Sequence, residues 1–275
     1  MNIIVCGGGF LGKDIADYLG ATLDTRHITS PSQLEEGDTA PDVMINAAGK
    51  TGRPNVDWCE DHKDETYFAN VTLAKMFADH ARRHNIRLVH LSSGCIYEGE
   101  NGGRGFTEDD APNFEGSFYS HTKAEAERQL EEYDNVLTIR PRMPISAVPS
   151  PRNLLHKLLG YEKIINVKNS VTITPDLLHS LGVLVATGRT GTFNMVNPDP
   201  VAHKDILELY EKYSGRTLHK EYITMGELVV KAPRSNTILS AEKLARAGAP
   251  MPSTKESLEK IIEEYVQQEA LPQNI

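Results

Sequence analysis

Apolar residues follow two rhythms along the first half of the chain. Short runs, "NIIVC", "ATLD", "DVMINAAG", "IRLVHLS" and "NVLTIRP", have the length of buried strands, and Pro141 stops the last of them. Between these runs the apolar positions recur every three or four residues. Leu11, Ile15 and Leu19 form one such stripe, and Phe68, Val71, Ala74, Phe77, Ala78 and Ala81 form another within a long segment from Glu65 to His84. These stripes, with "FYSHTKAEAERQLEEY", predict helices. Strands alternating with helices predict an α/β fold, a doubly wound parallel sheet covered on both faces.

After residue 145 the rhythm loosens. The proline-rich "RPRMPISAVPSPRN" reads as extended or turning chain. Helices follow around Leu154 to Leu159, Pro175 to Ala186 and His203 to Tyr213, with short strands such as "GTFNMV" between them. A capping box from Ser253 to Glu256 opens a last helix, striped by Leu258, Ile261, Ile262, Tyr265 and Val266. Residues 1–145 are therefore expected to form mainly a dinucleotide-binding core. Residues 146–275 are expected to supply mainly a small substrate-binding lobe interleaved with it.

Bulk properties narrow the function. The chain has 275 residues, 24% of them charged, and a net charge of −9. That balance argues against a nucleic-acid surface. No apolar run approaches the ~20 residues of a membrane span, so no membrane partner is predicted. Three cysteines, Cys6, Cys59 and Cys95, without a CxxC pair suit a reducing cytoplasm. Cys59 and His62 stand three apart in "WCEDH", but no further ligands stand at zinc spacing, and no metal is predicted.

Chemistry begins at "CGGGFLG", where Gly7, Gly9 and Gly12 make a GxGxxG turn between the first strand and the first helix. Such a turn brings backbone and helix N-terminus close to a pyrophosphate, with Phe10 and Leu11 inside it. Asp24 ends the second strand and could bond a ribose hydroxyl, whereas Arg26 could pair with the 2′-phosphate of NADP. The balance favours NADPH, with NADH open. Ala47, Ala48 and Gly49 end another strand with side chains small enough for a cofactor to lie against them.

Tyr119 and Lys123 in "FYSHTK" share a helix face, so the ammonium can lie beneath the phenol and favour its ionised form. With Ser93 at a strand end, they resemble the catalytic set of short-chain dehydrogenases/reductases. Cys95, in "LSSGCIYEG", has two readings that position alone leaves even. It is a small turn residue, or it exchanges protons with a carbon beside a substrate carbonyl.

Longer strings carry a closer likeness. "NAAGKTGRPNVDWCEDH", "GSFYSHTK", "RMPIS", "PRN", "YEK" and "APRSN" resemble the plant-type NDP-4-keto-6-deoxyglucose 3,5-epimerase/4-reductases, which make NDP-L-rhamnose. A more distant similarity reaches dTDP-4-dehydrorhamnose reductase and GDP-fucose synthase. The latter shares a Ser-x-Cys-Ile-Tyr run like Ser93 to Tyr97. The resemblance implies a Rossmann-like fold, NADPH, reduction by Tyr119, Lys123 and Ser93, and epimerisation by a cysteine at Cys95 and a lysine at Lys157. On spacing alone Lys157 is ambiguous, with His156 as its competitor. Arg53, Met143, Asn153 and Arg234 are candidates for holding the sugar or the nucleotide diphosphate. The stretch between "ATLD" and "DVMIN" is short and lacks the third strand of a full dinucleotide fold, which affects the 2′-phosphate contacts more than the chemistry. "GENGGRG" lacks the GK[ST] of a phosphate loop and reads as a flap near the site or a structural loop.

The expected substrate is thus a UDP- or dTDP-4-keto-6-deoxyglucose. An upstream 4,6-dehydratase is expected as a separate protein, with assembly as a homodimer open. Two alternatives stand beside this expectation: a 4-ketoreductase without epimerase activity, and a non-enzymatic NADP-binding regulatory subunit.

Overall fold

The computed structural model describes residues 1–35 and 40–270. Its first half runs β1 (Ile3–Cys6), α1 (Phe10–Leu19), β2 (Thr22–Asp24), β3 (Val43–Asn46), α2 (Asp57–Asp61), α3 (Lys63–Tyr67), α4 (Leu73–Arg83), β4 (Arg87–Leu91), α5 (Phe118–Leu130) and β5 (Val136–Pro141). The second half runs β6 (Pro144–Ile145), α6 (Leu154–Gly160), β7 (Lys163–Ile165), β8 (Lys168–Asn169), β9 (Thr172–Ile173), α7 (Thr174–Ala186), β10 (Gly191–Met195), β11 (Val201–Ala202), α8 (His203–Ser214), β12 (Glu221–Ile223), α9 (Glu242–Arg246) and α10 (Thr254–Ala270).

Six strands form one parallel sheet in the order β10-β5-β4-β3-β1-β2. The fold is α/β and doubly wound, as the alternating pattern predicts. Ile15 of α1 and Leu177, Leu181 and Leu184 of α7 pack on one face with Val5, Ile45 and Ile139. Phe77 and Ala78 of α4 and Leu130 of α5 pack on the other with Met44 and Leu88. Such two-sided burial explains why the strands read as apolar runs instead of alternating. Among the described residues no strand lies between β2 and β3 in the chain, so β2 is a sheet edge.

Strand order reverses at β1, whose neighbours are β2 and β3. Ligands of such sheets bind beyond the carboxyl ends of the strands at this switch point. Gly7, Ala47, Ser92 and Arg142 directly follow the ends of β1, β3, β4 and β5.

The structure departs from the periodicity in two places. The segment predicted as one helix from Glu65 is broken by a π-helical turn over Phe68–Thr72. The extra residue turns Asn70 inward. Its amide nitrogen donates to the Lys50 carbonyl and to Thr122 Oγ1, and its oxygen accepts from the Lys50 amide. "GTFNMV" becomes the sixth strand of the main sheet, pairing Phe193 with Ile139. The chain therefore returns to the sheet after leaving it at β5.

A second apolar cluster joins α6, α8 and α10 through Leu155, Leu158, Ile206, Tyr210, Ile262 and Tyr265. Short pairs β6–β9, β7–β12 and β8–β11 tie this lobe together. The "GENGGRG" segment is pinned at both ends, by bridges from Gly99 to Thr237 and from Phe106 to Leu239. No helix among the described residues is long and apolar enough to cross a membrane.

Candidate active site

The glycine turn is tight for steric reasons that can be read atom by atom. A Cβ on Gly7, whose φ is +115°, would stand 2.6 Å from the Ala48 nitrogen. A Cβ on Gly12 would stand 2.0 Å from the Gly7 carbonyl oxygen. These two glycines let α1 and the β3 end pack on the turn. Gly9 differs: nothing lies within 4 Å of where its Cβ would be. Gly9 also caps α1 without a side chain, leaving the first amides of the helix, those of Phe10 and Leu11 among them, free of a capping group. Packed glycines behind and an open one in front make a cradle that fits a dinucleotide pyrophosphate.

Beyond the second strand, Arg26 folds back onto Asp24. Its Nε and Nη2 bond the two carboxylate oxygens at 2.8–3.1 Å. The arginine holds the Asp24 carboxyl below its usual range. The two sequence candidates for reading the ribose are thus one ion pair with its negative charge matched.

Four candidates converge at the ends of β3 and β4. Ser93 Oγ accepts from the Cys95 amide at 3.2 Å and so caps the turn that carries the thiol. Ser117 caps α5 and sets its first turn, which places Tyr119 and Lys123 on the buried side. Lys123 Nζ donates to the Leu91 carbonyl at 2.9 Å. A Cβ on Gly49 would lie 3.6 Å from that Nζ, so the β3 end passes directly over the lysine.

Electrostatics refine the expected roles. Burial raises the Tyr119 phenol well above its ordinary range; the charge of Cys95 adds to this, while a hydrogen bond with Ser93 and the Arg142 charge oppose it. An ammonium-driven lowering was the expectation, and burial overrides it. Tyr119 is held as a protonated acid. Burial brings Lys123 down to about 8, against the pull of Glu127 one turn further on. Glu127 is clamped by Arg140 and bonded by Ser92, which fixes this buried charge behind the lysine.

Lys157, on α6, lies within electrostatic reach of this group. Burial and the neighbouring Arg152 lower its pKa, Cys95 raises it, and Arg234 lowers it further. The charge of Cys95 therefore acts on Tyr119, Lys123 and Lys157 alike. His156, the competitor, points elsewhere: its Nδ1 lies 3.2 Å from the Tyr265 hydroxyl.

The substrate candidates divide. Met143 sits where the chain leaves β5, at φ +44°, a left-handed conformation rare for its type. Arg53 is exposed and close enough for its charge to act on Arg152. Arg234 donates to Asp57 Oδ1 at 2.7 Å and to the Ala232 carbonyl. Asn153 is shut off from solvent. It is fully buried as the N-cap of α6, with its oxygen accepting from Leu155 and its nitrogen donating to Ser146 and Val148. Its sugar-binding reading is corrected to a capping one, since no polar atom of the amide is left over.

Sequence reading missed two arginines. Arg152 donates to Thr51 Oγ1 and lies within electrostatic reach of Tyr119, Lys157 and Arg53. Arg142 donates to Cys95 Sγ at 2.7 Å. Their only sequence signal is an arginine inside an otherwise apolar or proline-rich stretch. Arg53, Arg152, Lys157 and Arg234 act on one another electrostatically in a chain of net charge −9, a local concentration of positive charge suited to phosphates. Cys59 and His62, not grouped as ligands, are packed: the cysteine is buried, and the imidazole stacks on Trp58 at 3.8 Å.

Residues 6–156 match the family described as RmlD substrate binding domain. The chain is 44% identical over 230 residues to the bifunctional dTDP-4-dehydrorhamnose 3,5-epimerase/dTDP-4-dehydrorhamnose reductase of Arabidopsis thaliana, covering 81% of this chain and 76% of the relative. It is 42% identical over 263 residues to a trifunctional UDP-glucose 4,6-dehydratase/UDP-4-keto-6-deoxy-D-glucose 3,5-epimerase/UDP-4-keto-L-rhamnose-reductase of the same plant. That match covers 91% of this chain but only 39% of the longer relative. Among solved structures, the L780 UDP-rhamnose synthase of Acanthamoeba polyphaga mimivirus superposes with a TM-score of 0.87 at 28% identity, covering 95% of this chain and 99% of that one.

Proposed function

The chain belongs to the NDP-4-keto-6-deoxyglucose 3,5-epimerase/4-reductases of the RmlD substrate binding domain family, and from that premise we propose that it converts UDP- or dTDP-4-keto-6-deoxy-D-glucose to NDP-β-L-rhamnose. The observation that supports the reading most directly is the gathering of Ser93, Cys95, Tyr119 and Lys123 beyond the end of β4, where Ser93 Oγ caps the turn that carries Cys95 and Lys123 Nζ bonds the Leu91 carbonyl, with Lys157 within electrostatic reach.

The ketone at carbon 4 acidifies the protons on carbons 3 and 5. Removing one gives an enolate, whose oxygen needs hydrogen-bond donors. Ser93 and the protonated Tyr119 are the donors, and Cys95 and Lys157 exchange the carbon-bound protons. Burial of Lys157 enlarges its neutral fraction, the form that can accept a proton.

NADPH supplies the hydride for carbon 4 when bound. Gly7, Gly9, Phe10, Leu11 and Gly12 would hold its pyrophosphate, Ala47, Ala48 and Gly49 would lie against it, and Lys123 would orient its ribose. Matching of the Asp24 charge by Arg26 removes the repulsion that a 2′-phosphate would otherwise meet, which favours NADPH over NADH. Tyr119, raised in pKa, gives its proton to the new alkoxide. Arg53, Arg152 and Arg234 would bind the diphosphate, with Met143 against the sugar or nicotinamide. The substrate is itself a dehydration product, so a 4,6-dehydratase must act upstream, as another protein or a further domain.

Incubation of the protein with NADPH and UDP- or dTDP-4-keto-6-deoxyglucose, followed by sugar analysis, tests the reading. NDP-rhamnose is the expected product. A reduced but unepimerised 6-deoxyhexose identifies a reductase only. Absence of NADPH oxidation with either nucleotide removes the enzymatic reading.

A further inference from the structure

Arg142 follows β5 and is 2% exposed. Its Nη1 donates to Cys95 Sγ at 2.7 Å. Nη2 donates to Asn169 Oδ1 at 2.9 Å and to the Ser235 carbonyl at 2.5 Å, and Nε has no partner. No described carboxylate pairs with it. Arg140, two residues earlier, offers the contrast. It is equally buried, and Glu127 binds its Nε and Nη2. One arginine of this strand is neutralised, while the other faces a sulfur.

The turn is built to allow this approach. A Cβ on Gly94 would stand 3.5 Å from both Cβ and Cδ of Arg142 and 2.6 Å from Leu239 Cδ1, so the arginine stem and Leu239 occupy the space a side chain would need. A buried cation without a counter-charge is unfavourable. Its charge also acts on Tyr119. The Cys95 sulfur and the Tyr119 oxygen are the protein atoms that become negative as they give up their protons in the proposed chemistry.

We propose that Arg142 is the positioning residue of the epimerase reaction, anchoring Cys95 Sγ and stabilising the negative charge left there. This rests on the reading of Cys95 as a proton-exchanging group. In the step, the enolate electron pair forms the new C–H bond as the S–H bond breaks. The S–H pair stays on sulfur, beside the guanidinium, and the substrate returns to the ketone. Nothing is oxidised or reduced. In the reverse sense the sulfur recovers its proton from carbon. Arg142 acts through the sulfur and is assigned no direct contact with substrate.

Arg142→Gln, Arg142→Lys and Cys95→Ser test this. Three readouts are compared: solvent deuterium entering carbons 3 and 5 of UDP-4-keto-6-deoxyglucose without NADPH, NADPH oxidation with the already epimerised 4-ketose, and iodoacetamide alkylation of Cys95. Arg142→Gln is expected to lower deuterium entry about 30-fold or more and slow alkylation about 3-fold, with reduction retained within about tenfold. Arg142→Lys recovers part of both losses. Wild-type deuterium entry in Arg142→Gln overturns the proposal, and its loss in Cys95→Ser then leaves the thiol reading standing. Full-rate exchange in Cys95→Ser instead defeats that underlying reading, and the proposal with it. Should Arg142→Gln lose reduction as well, Asn169→Ala decides. It frees one anchor and keeps the charge, so slowed exchange with intact reduction supports the proposal and unchanged exchange overturns it.

Discussion

Lys123 Nζ donates a 2.9 Å hydrogen bond to the carbonyl oxygen of Leu91, the last residue of β4. A buried ammonium is thereby tied to the strand that leads to Ser93. Its pKa falls from 10.5 to about 8, so the folded protein binds this proton more weakly than the unfolded chain does. Where the unfolded state binds more protons, stability rises with pH. The window runs from about 8 to 10.5. Lys123→Met lacks this rise. Denaturant titrations across the window should show wild type gaining on the variant by no more than about 3 kcal/mol. A constant difference between them would mean that Lys123 titrates normally.

Tyr119→Phe should separate acid catalysis from folding. The phenol is held protonated by burial, and the proposed function makes it the proton donor of the reduction. Its loss should lower kcat for the epimerised 4-ketose by about 10²–10⁴-fold, the usual contribution of a positioned general acid. The ring stays, so Tm should move by only a few degrees. Retained turnover would assign the proton to another group.

Glycines of one motif should fail differently. Gly12→Ala drives a methyl into the Gly7 carbonyl, a backbone atom that cannot swing away. Lowered Tm and lost dinucleotide binding should come together. Gly9→Ala has open space around it, so Tm should hold while NADPH affinity drops about tenfold or more, because the methyl meets only the ligand. Calorimetry with a thermal melt on both variants checks this. Unchanged affinity in Gly9→Ala would place the pyrophosphate elsewhere.

What could be read from sequence had its spacing built in. The GxGxxG turn and the Tyr119–Lys123 pair are local, so strand and helix geometry follow from the intervals themselves. Central strands were legible because both faces are covered. Arg142 was not, since it reaches a sulfur 47 residues away through pairing of strands and a turn around Gly94. Asn153 was misread although its place before an apolar helix is a capping signal. The π turn left no mark on the periodicity; Asn70 turns inward because Lys50 and Thr122 satisfy its amide. The lowered phenol expected from Lys123 failed because i,i+4 spacing says nothing about depth of burial.

Arg26→Ala removes the group that matches the Asp24 charge. The freed carboxylate would then be left to meet the adenosine ribose of a bound dinucleotide. Preference for NADPH over NADH should fall about tenfold or more, chiefly through KM for NADPH. Steady-state kinetics with both cofactors measure it. A preserved ratio would place recognition of the 2′-phosphate on other residues.

Arg152 should set the working pH of Lys157. Its positive charge is the largest influence after burial that lowers the lysine's pKa, and a lowered pKa leaves more neutral amine to accept a carbon-bound proton. Arg152→Gln removes that charge, so the pKa of Lys157 rises and the neutral fraction at a given pH falls. Solvent-deuterium exchange into the 4-keto sugar should therefore require more alkaline conditions, its rising limb moving to higher pH. Arg152→Lys keeps the charge and should leave the limb near its original place while weakening substrate binding. A Gln variant whose limb stays put while exchange remains dependent on Lys157 would show that burial alone tunes the lysine. A limb that persists in Lys157→Met would take the lysine out of the proton transfer altogether.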